Sequence, residues 1–335
     1  MKNQSLSDIY SSLGIMNATV YVVPKIRADF PASDYLYLLY EQLIKDDKYH
    51  IKSLSIFGHF RFVLSLFFQQ KCLLHYHWVE FQGIKSFLGM LYKLPCIYLF
   101  NLLGGKIVWT VHNLEPHGGK FLKTHLRIHK WMGKISDVVL AHSETAAELV
   151  ISKFDIDKEK VKFVPHPKFP AAFINREQSV NFLNSTFHWN INPARPIALI
   201  MGNIAEYKKV DHLLELVEKY DLDLQVIVAG SVKKGDEKMA KRVEKLASSN
   251  PDYYLNSQFI EEEHIPYFFG ASDFCLFNFD KILTSGSVEM ALSYKKDVIA
   301  PRISSLKELD QAFLFSNKKE LVTLIRSSIF TFYNE

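Results

Sequence analysis

Short apolar runs recur along the chain, separated by stretches in which apolar residues return every three or four positions. The runs at Ala18 to Pro24, Leu73 to His77, Lys106 to Val111, Val138 to His142 and Val161 to Pro165 predict strands, as do those at Pro196 to Met201, Leu224 to Ala229, Phe274 to Phe277 and Asp297 to Ala300. Between them the helical period is clearest at Val210 to Tyr220, Asp236 to Ser249 and Ser287 to Lys295. Strands alternating with helices imply an α/β fold of doubly wound parallel sheets, with helices on both faces. The alternation breaks at His166 to Pro196, where prolines, asparagines and scattered aromatics suggest a linker. The chain is therefore expected to form a domain over residues 1–170, a linker over 171–195 and a second domain over 196–335. A crevice between two such halves, at the carboxyl ends of their strands, is where ligands of open α/β sheets bind.

Composition narrows the class. The 335 residues are 48% hydrophobic and 23% charged, which suits globular domains and argues against disorder. Three separated cysteines, at 72, 96 and 275, form neither a disulfide framework nor a paired metal motif. With no secretory pattern at the N-terminus, a cytoplasmic location is expected. The longest apolar tract, Phe87 to Leu103, is interrupted by Lys93 and Pro95, so no membrane span is expected.

Net charge is only +4, yet Lys120 to Lys134 holds five Lys or Arg, two His and no acid, interleaved with Phe121, Leu122, Leu126, Trp131 and Met132. Such a helix packs its apolar stripe inward or lies on an anionic bilayer. The aromatic run Phe57 to Gln70 favours a peripheral contact with the inner membrane face. Nucleic acid is not an expected partner.

Polar clusters follow the apolar runs. His75 to Glu80, His112 to His117, His142 to Glu144 and Pro165 to Pro167 come at four strand ends of the first half, and Met201 to Lys209 follows the first strand of the second half. A single buried histidine is usually structural, but four histidine-bearing strand ends on one face indicate a site. No paired-ligand spacing on one helix marks a metal centre. Thr284, Ser285, Gly286 and Ser287 directly precede or open an amphipathic helix, where free amides and the helix dipole suit a diphosphate. An ordinary Ser N-cap would give the same local sequence. Lys208, on the loop that begins at Gly202 and Asn203, could reach the same anion. Neither a P-loop nor a dinucleotide fingerprint is present, and the D-x-D pairs Asp155 to Asp157 and Asp221 to Asp223 read as solvated turns.

Taken in order, the blocks "KIVWTVHNLEPH", "SDVVLAHSE", "VKFVPHP", "MGNIAEYKKVDHLLE" and "LTSGSVEMALSYKKDVIAP" resemble the GT-B glycosyltransferases, and among them the bacterial family-4-like enzymes of capsular and exopolysaccharide assembly. The resemblance implies two Rossmann-like domains facing an interdomain cleft, acceptor on the first and nucleotide sugar on the second. It makes His112 a contact to the donor sugar, Lys208 a diphosphate clamp, and Thr284 to Ser287 an amide cradle beside Gly202 and Asn203. Glu80, Asn113, Glu115 and His117 fall on the acceptor side. No cofactor or bound metal is implied. The sequence departs from the family pattern at Asn203, where an arginine is usual, and at Ile282 and Met290, where acids are usual, with Glu289 displaced by one position.

The reaction so implied moves a hexose from a nucleotide diphosphate sugar to a hydroxyl of a glycan acceptor, lipid-linked, in surface polysaccharide assembly, with retention. An inverting enzyme would need a base, for which Asp29, Asp34 and Glu80 are candidates. Two alternatives stay open: a non-catalytic GT-B-like subunit binding a partner transferase or glycan, and a nucleotide-sugar epimerase.

Overall fold

The computed structural model of the chain describes residues 4–46, 48–79, 84–116 and 121–334, and the side chains of residues 84–86 are outside the description. The chain divides into two compact units, Met1–Pro167 and Lys168–Glu335. Each is built on one parallel sheet.

In the first unit α1 (Leu6–Ser12) precedes β1 (Ala18–Val23), α2 (Tyr35–Lys45), β2 (Tyr49–Ser53), α3 (Phe60–Phe67), β3 (Cys72–Tyr76) and α4 (Ile84–Leu102). There follow β4 (Lys106–Thr110), α5 (Leu122–Ile135), β5 (Val138–Ala141), α6 (Glu144–Phe154) and β6 (Val161–Phe163). The strand order is β2-β1-β3-β4-β5-β6. Every residue of β3 and β5 is buried, as expected for strands covered on both faces.

The second unit runs α7 (Arg176–Phe187), β7 (Ile197–Met201), α8 (Val210–Lys219), β8 (Gln225–Ala229), α9 (Glu237–Ser249), β9 (Tyr253–Asn256) and α10 (Ile265–Ala271). It continues with β10 (Phe274–Leu276), α11 (Gly286–Ser293), β11 (Asp297–Pro301), β12 (Ala312–Phe315) and α12 (Lys318–Asn334). Its order, β12-β11-β10-β7-β8-β9, reverses direction between β7 and β10. In the first sheet the reversal lies between β1 and β3. Loops leaving the carboxyl ends of strands diverge at such points and leave room for a ligand.

The same device anchors both sheets. Asp137, just before β5, accepts the Ile107 amide at 2.9 Å and Lys106 Nζ at 2.8 Å. Asp273, just before β10, accepts the Ile197 amide at 2.7 Å and pairs with Arg176. Each carboxylate thus engages a backbone donor at the start of a neighbouring strand, which would otherwise be buried without a partner.

Three features depart from the expectations. The strands β2, β9 and β12 were not expected; all three are edge strands with partly exposed residues. The segment 171–195, expected to be a linker, contains α7 and belongs to the second unit, where Val180, Leu183 and Ile191 are buried in the core. Arg176 fastens it by donating to Ala271 O at 3.1 Å, Arg195 O at 2.7 Å and Pro193 O at 2.9 Å. Finally, Pro95 does not divide its apolar tract: α4 continues through it. Among the described residues no helix is long and apolar enough to cross a membrane. Cys72, Cys96 and Cys275 are buried, free thiols.

Candidate functional site

In the first unit the strand ends bring five histidines together. His75 is the penultimate residue of β3 and His77 follows the strand, while His112, His142 and His166 come just after β4, β5 and β6. His77 Nδ1 lies 3.1 Å from His112 Nε2, and His77 Nε2 lies 3.0 Å from the Tyr40 hydroxyl. That hydroxyl also bonds His75 Nδ1, which Tyr10 OH reaches at 2.6 Å, and His75 Nε2 is 2.8 Å from Thr110 Oγ1. Trp78 stacks on the His112 ring, with centroids 4.1 Å apart and planes 16° apart, and Tyr35 meets that ring edge-on at 5.1 Å. Tyr35 OH is 2.7 Å from His142 Nε2, whose Nδ1 donates to Val164 O at 2.8 Å. His166 Nδ1 donates to Pro167 O at 2.8 Å and its ring lies 5.4 Å from that of His142.

Burial keeps these rings neutral. Desolvation pushes His75 and His142 down to about 3 and His166 down to about 4. It holds His77 and His112 well below the ordinary histidine value, with repulsion from neighbouring rings adding to it. The rings around them belong to histidine, tyrosine and tryptophan. Among the described residues no three His, Cys, Asp or Glu side chains converge as metal ligands.

The second unit presents the opposite chemistry at its β7/β10 reversal. Lys208 is buried, and its Nζ donates to Ser287 Oγ at 3.2 Å. Among the described residues it has no carboxylate partner, and desolvation alone pushes its ammonium down to about 8. Gly202, with φ +106°, makes the approach feasible: a Cβ there would stand 2.2 Å from Ser287 Oγ and 2.6 Å from Lys208 Nζ. Ser285 caps α11 by accepting the Val288 amide at 3.4 Å, so its hydroxyl is engaged with its own helix. The amides of Gly286 and Ser287 are first-turn donors that the helix cannot satisfy internally. A buried cation beside the amino end of a helix is an arrangement that favours an anion.

Residues 20–167, nearly all of the first unit, match Glycosyltransferase Family 4. Across both units the backbone is similar to the Anabaena protein HepE in complex with UDP-glucose, with TM-score 0.65 and 13% identity over 94% of this chain and 90% of that one. It is likewise similar to sucrose-phosphate synthase from Thermosynechococcus elongatus, with TM-score 0.67 and 14% identity over 94% and 90% of the two chains. For α,α-trehalose 6-phosphate synthase from Burkholderia multivorans the TM-score is 0.63 at 9% identity, over 95% and 93%. The fold is that of the GT-B glycosyltransferases. Among curated proteins, none matches this sequence.

Within this GT-B frame the expected site residues fall into two groups. His112 sits in the first unit's histidine cluster, with Asn113 half-buried beside it. Glu115 is held by Lys153 Nζ at 2.7 Å. Glu80 and His117 lie outside the described residues. Gly202, Lys208 and Ser287 converge in the second unit, with Ser285 and Gly286 at the start of α11 and Thr284 just before it. Asn203 is exposed and accepts from Ser231 Oγ at 3.1 Å. Of the candidate bases, Asp34 caps α2 through the Tyr37 amide at 2.8 Å and Asp29 is exposed. Sequence reading missed Tyr35, Tyr40 and Trp78 as members of the cluster. Trp78 stands inside the "HYHWVE" block, whereas nothing local marks the two tyrosines, which come from α2. Glu289 is half-buried in the first turn of α11, and desolvation pushes its carboxyl up to about 7.

The neutral histidines fix the pH response. Their folded values lie below the unfolded value, so the unfolded chain takes up protons first and stability falls as pH drops below about 6.5. The loss continues toward the folded values of about 3 to 4. Each histidine contributes a slope of about 1.4 kcal/mol per pH unit in that window. Thermal melting should show a lower midpoint at pH 5 than at pH 7.5, and a flat profile across that range would contradict the buried neutral cluster.

Proposed function

We propose that the protein is a glycosyltransferase that moves a hexose from a nucleotide diphosphate sugar to a hydroxyl of a lipid-linked glycan, in surface polysaccharide assembly. The observation that carries this reading is Lys208, a buried ammonium with no carboxylate partner among the described residues, its Nζ 3.2 Å from Ser287 Oγ at the amino end of α11. Burying a cation in this way is costly unless an anion joins it. The Family 4 match over residues 20–167 supports a glycosyl donor rather than another phosphate compound.

In the proposed reaction the bond between the anomeric carbon and the β-phosphate oxygen breaks as the acceptor oxygen bonds to that carbon. Negative charge grows on the phosphate, where Lys208 and the Gly286 and Ser287 amides stabilise it. The sugar is transferred with retention, and the leaving phosphate oxygen takes the acceptor proton. Lys208 and the helix terminus supply the positive charge, so the reading is metal-independent. His112 contacts the sugar, and Asn113 and Glu115 belong to the acceptor side.

A lipid-linked acceptor suits the surface of the first unit. Phe57, Phe67 and Phe68 are 93%, 73% and 68% exposed, and Leu88, Leu91 and Leu102 of α4 are exposed as well. The two segments adjoin, since the Phe60 amide donates to Tyr92 OH at 3.3 Å and a Cβ on Gly89 would touch Ile56. Residues 49–134 carry eleven Lys or Arg and two acids, against 40 and 36 in the whole chain. Exposed aromatics in a basic field fit the interface of an anionic bilayer.

Three outcomes are expected. In a thermal-shift panel of UDP, GDP, ADP and dTDP, one nucleotide should raise the melting point of the wild type and not of Lys208→Ala; no response to any would move the reading to a non-catalytic subunit. His112→Ala should lower turnover more than nucleotide affinity, and equal loss of both would count against a sugar-side role. The protein should co-sediment with phosphatidylglycerol vesicles but not with phosphatidylcholine vesicles, and Phe57→Ser with Phe67→Ser and Phe68→Ser should abolish this. A dimer on light scattering, with no vesicle binding, would assign that surface to a second copy instead.

A further inference from the structure

Lys208 combines two features that seldom coexist, burial of an ammonium and a partner that carries no charge. It is 7% exposed, and among the described residues its Nζ bonds to Ser287 Oγ at 3.2 Å and to no carboxylate. The wall around it is close, since a Cβ on Gly202 would stand 2.6 Å from Nζ and 2.2 Å from Ser287 Oγ. A charge held in this way has exchanged its water for one neutral hydroxyl.

The charged side chains of the neighbouring loops are engaged with one another. Lys209 pairs with Asp280, Arg242 takes both Glu206 and Asp211, and Asp236 accepts the Glu206 amide at 3.2 Å. Lys233 lies over the Tyr207 ring at 5.5 Å, and desolvation, with the Asp236 charge adding to it, pushes that phenol above its ordinary value. Glu289, in the first turn of α11, is shifted by desolvation alone, as Lys208 is, so neither group answers the charge of the other.

The Ser287 hydroxyl suits Nζ in either protonation state. Its oxygen accepts from an ammonium, and its proton can be given to the lone pair of a neutral amine, whereas a carboxylate would hold the lysine charged. The protein itself therefore leaves the charge unfixed, and burial shifts the balance toward the neutral amine. An anion at the Gly286 and Ser287 amides reverses that shift, because a phosphate beside Nζ supplies the counter-charge that the described residues do not.

We infer that in mildly alkaline solution anion binding at this site is coupled to a proton: the ligand draws H⁺ from solvent onto Lys208 Nζ as it binds, and its departure returns that proton. The inference rests on the anion reading of Lys208 given above and adds that the ligand completes the charge of its own site. Desolvation alone sets the free ammonium at about 8, within reach of ordinary buffers. The sign follows from linkage: above that value the complex holds more protons than the free protein, so affinity falls as pH rises through it. Between pH 7 and pH 9 the loss should be about ten-fold. The cation is thus complete while charge grows on the phosphate, and is given up once the product has gone.

The test follows the lysine directly in the full chain labelled at lysine 13Cε, with the Lys208 signal identified by its loss in Lys208→Arg. Inorganic phosphate, ADP, UDP, GDP and dTDP serve as probes, their phosphates being ionised already above pH 8. In the free protein the signal should titrate near pH 8, and a saturating probe should move its midpoint above about 10. A free midpoint in the ordinary lysine range would overturn the inference, and so would a midpoint that the bound probe leaves in place. Calorimetry at pH 8.5 in two buffers of different ionisation enthalpy should report about 0.8 proton taken up per ligand; zero uptake with binding intact would overturn it. Arginine stays charged, so the affinity of Lys208→Arg for a probe should be flat from pH 7 to pH 9, and a ten-fold fall surviving in that variant would count against Lys208. Glu289→Gln should keep the wild-type uptake; its disappearance there would assign the proton to that carboxyl instead. Phosphate binding with uptake, and no response to any nucleotide, would sink the transferase reading and leave the coupling in place. No binding of any probe would end both.

Discussion

Parallel strands buried on both faces have nowhere along their length to place polar chemistry, so it must collect where the strands end. This constraint organises both units. Every residue of β3, β7 and β8 is buried, and the groups able to do chemistry appear within a few residues of the carboxyl ends. The opposite ends carry Asp137 and Asp273, which close neighbouring backbone donors. One end of each sheet is thus used for register and the other for reactivity.

The two units answer the constraint with opposite electrostatics. In the first, burial removes charge: five imidazoles are held neutral and satisfy one another, three tyrosines and backbone carbonyls. In the second, burial keeps a charge at Lys208 that meets a serine hydroxyl and, among the described residues, no carboxylate, beside the first-turn donors of α11. Neutral histidines suit the recognition of hydroxyls, where a donor or acceptor of fixed polarity discriminates without demanding a counter-ion. An uncompensated cation suits an anion. Both chemistries are needed by a protein that handles a sugar joined to a diphosphate.

The sequence made the architecture legible wherever burial was complete. Nine strands were expected from continuous apolar runs, and all nine are present to within two residues at either end. The three that escaped, β2, β9 and β12, lie at sheet edges and are partly exposed: polar residues interrupt β2 and end β9, and β12 is an apolar run of only four residues. The segment 171–195 was opaque for a related reason. Its prolines and asparagines mark a helix entry and exit, with Asn175 as the cap, while only Val180, Leu183 and Ile191 point to a core. The site was legible as strand-end clusters, because His112, Lys208 and Ser287 stand beside the runs that place them. Tyr35 and Tyr40 were not, since they sit on a helix whose phase toward the histidines depends on packing that no local pattern records.

The stack of Trp78 on His112 has an optical consequence. A neutral imidazole leaves indole emission largely intact, whereas an imidazolium lying on its face quenches it, so the pair joins a fluorophore to the proton state of the ring proposed to contact the sugar. Among the described residues Trp109 meets His129 and Phe154 and Trp189 meets Phe187, Tyr254 and Phe268, which leaves Trp78 as the tryptophan stacked on His112 and a built-in reporter of that ring.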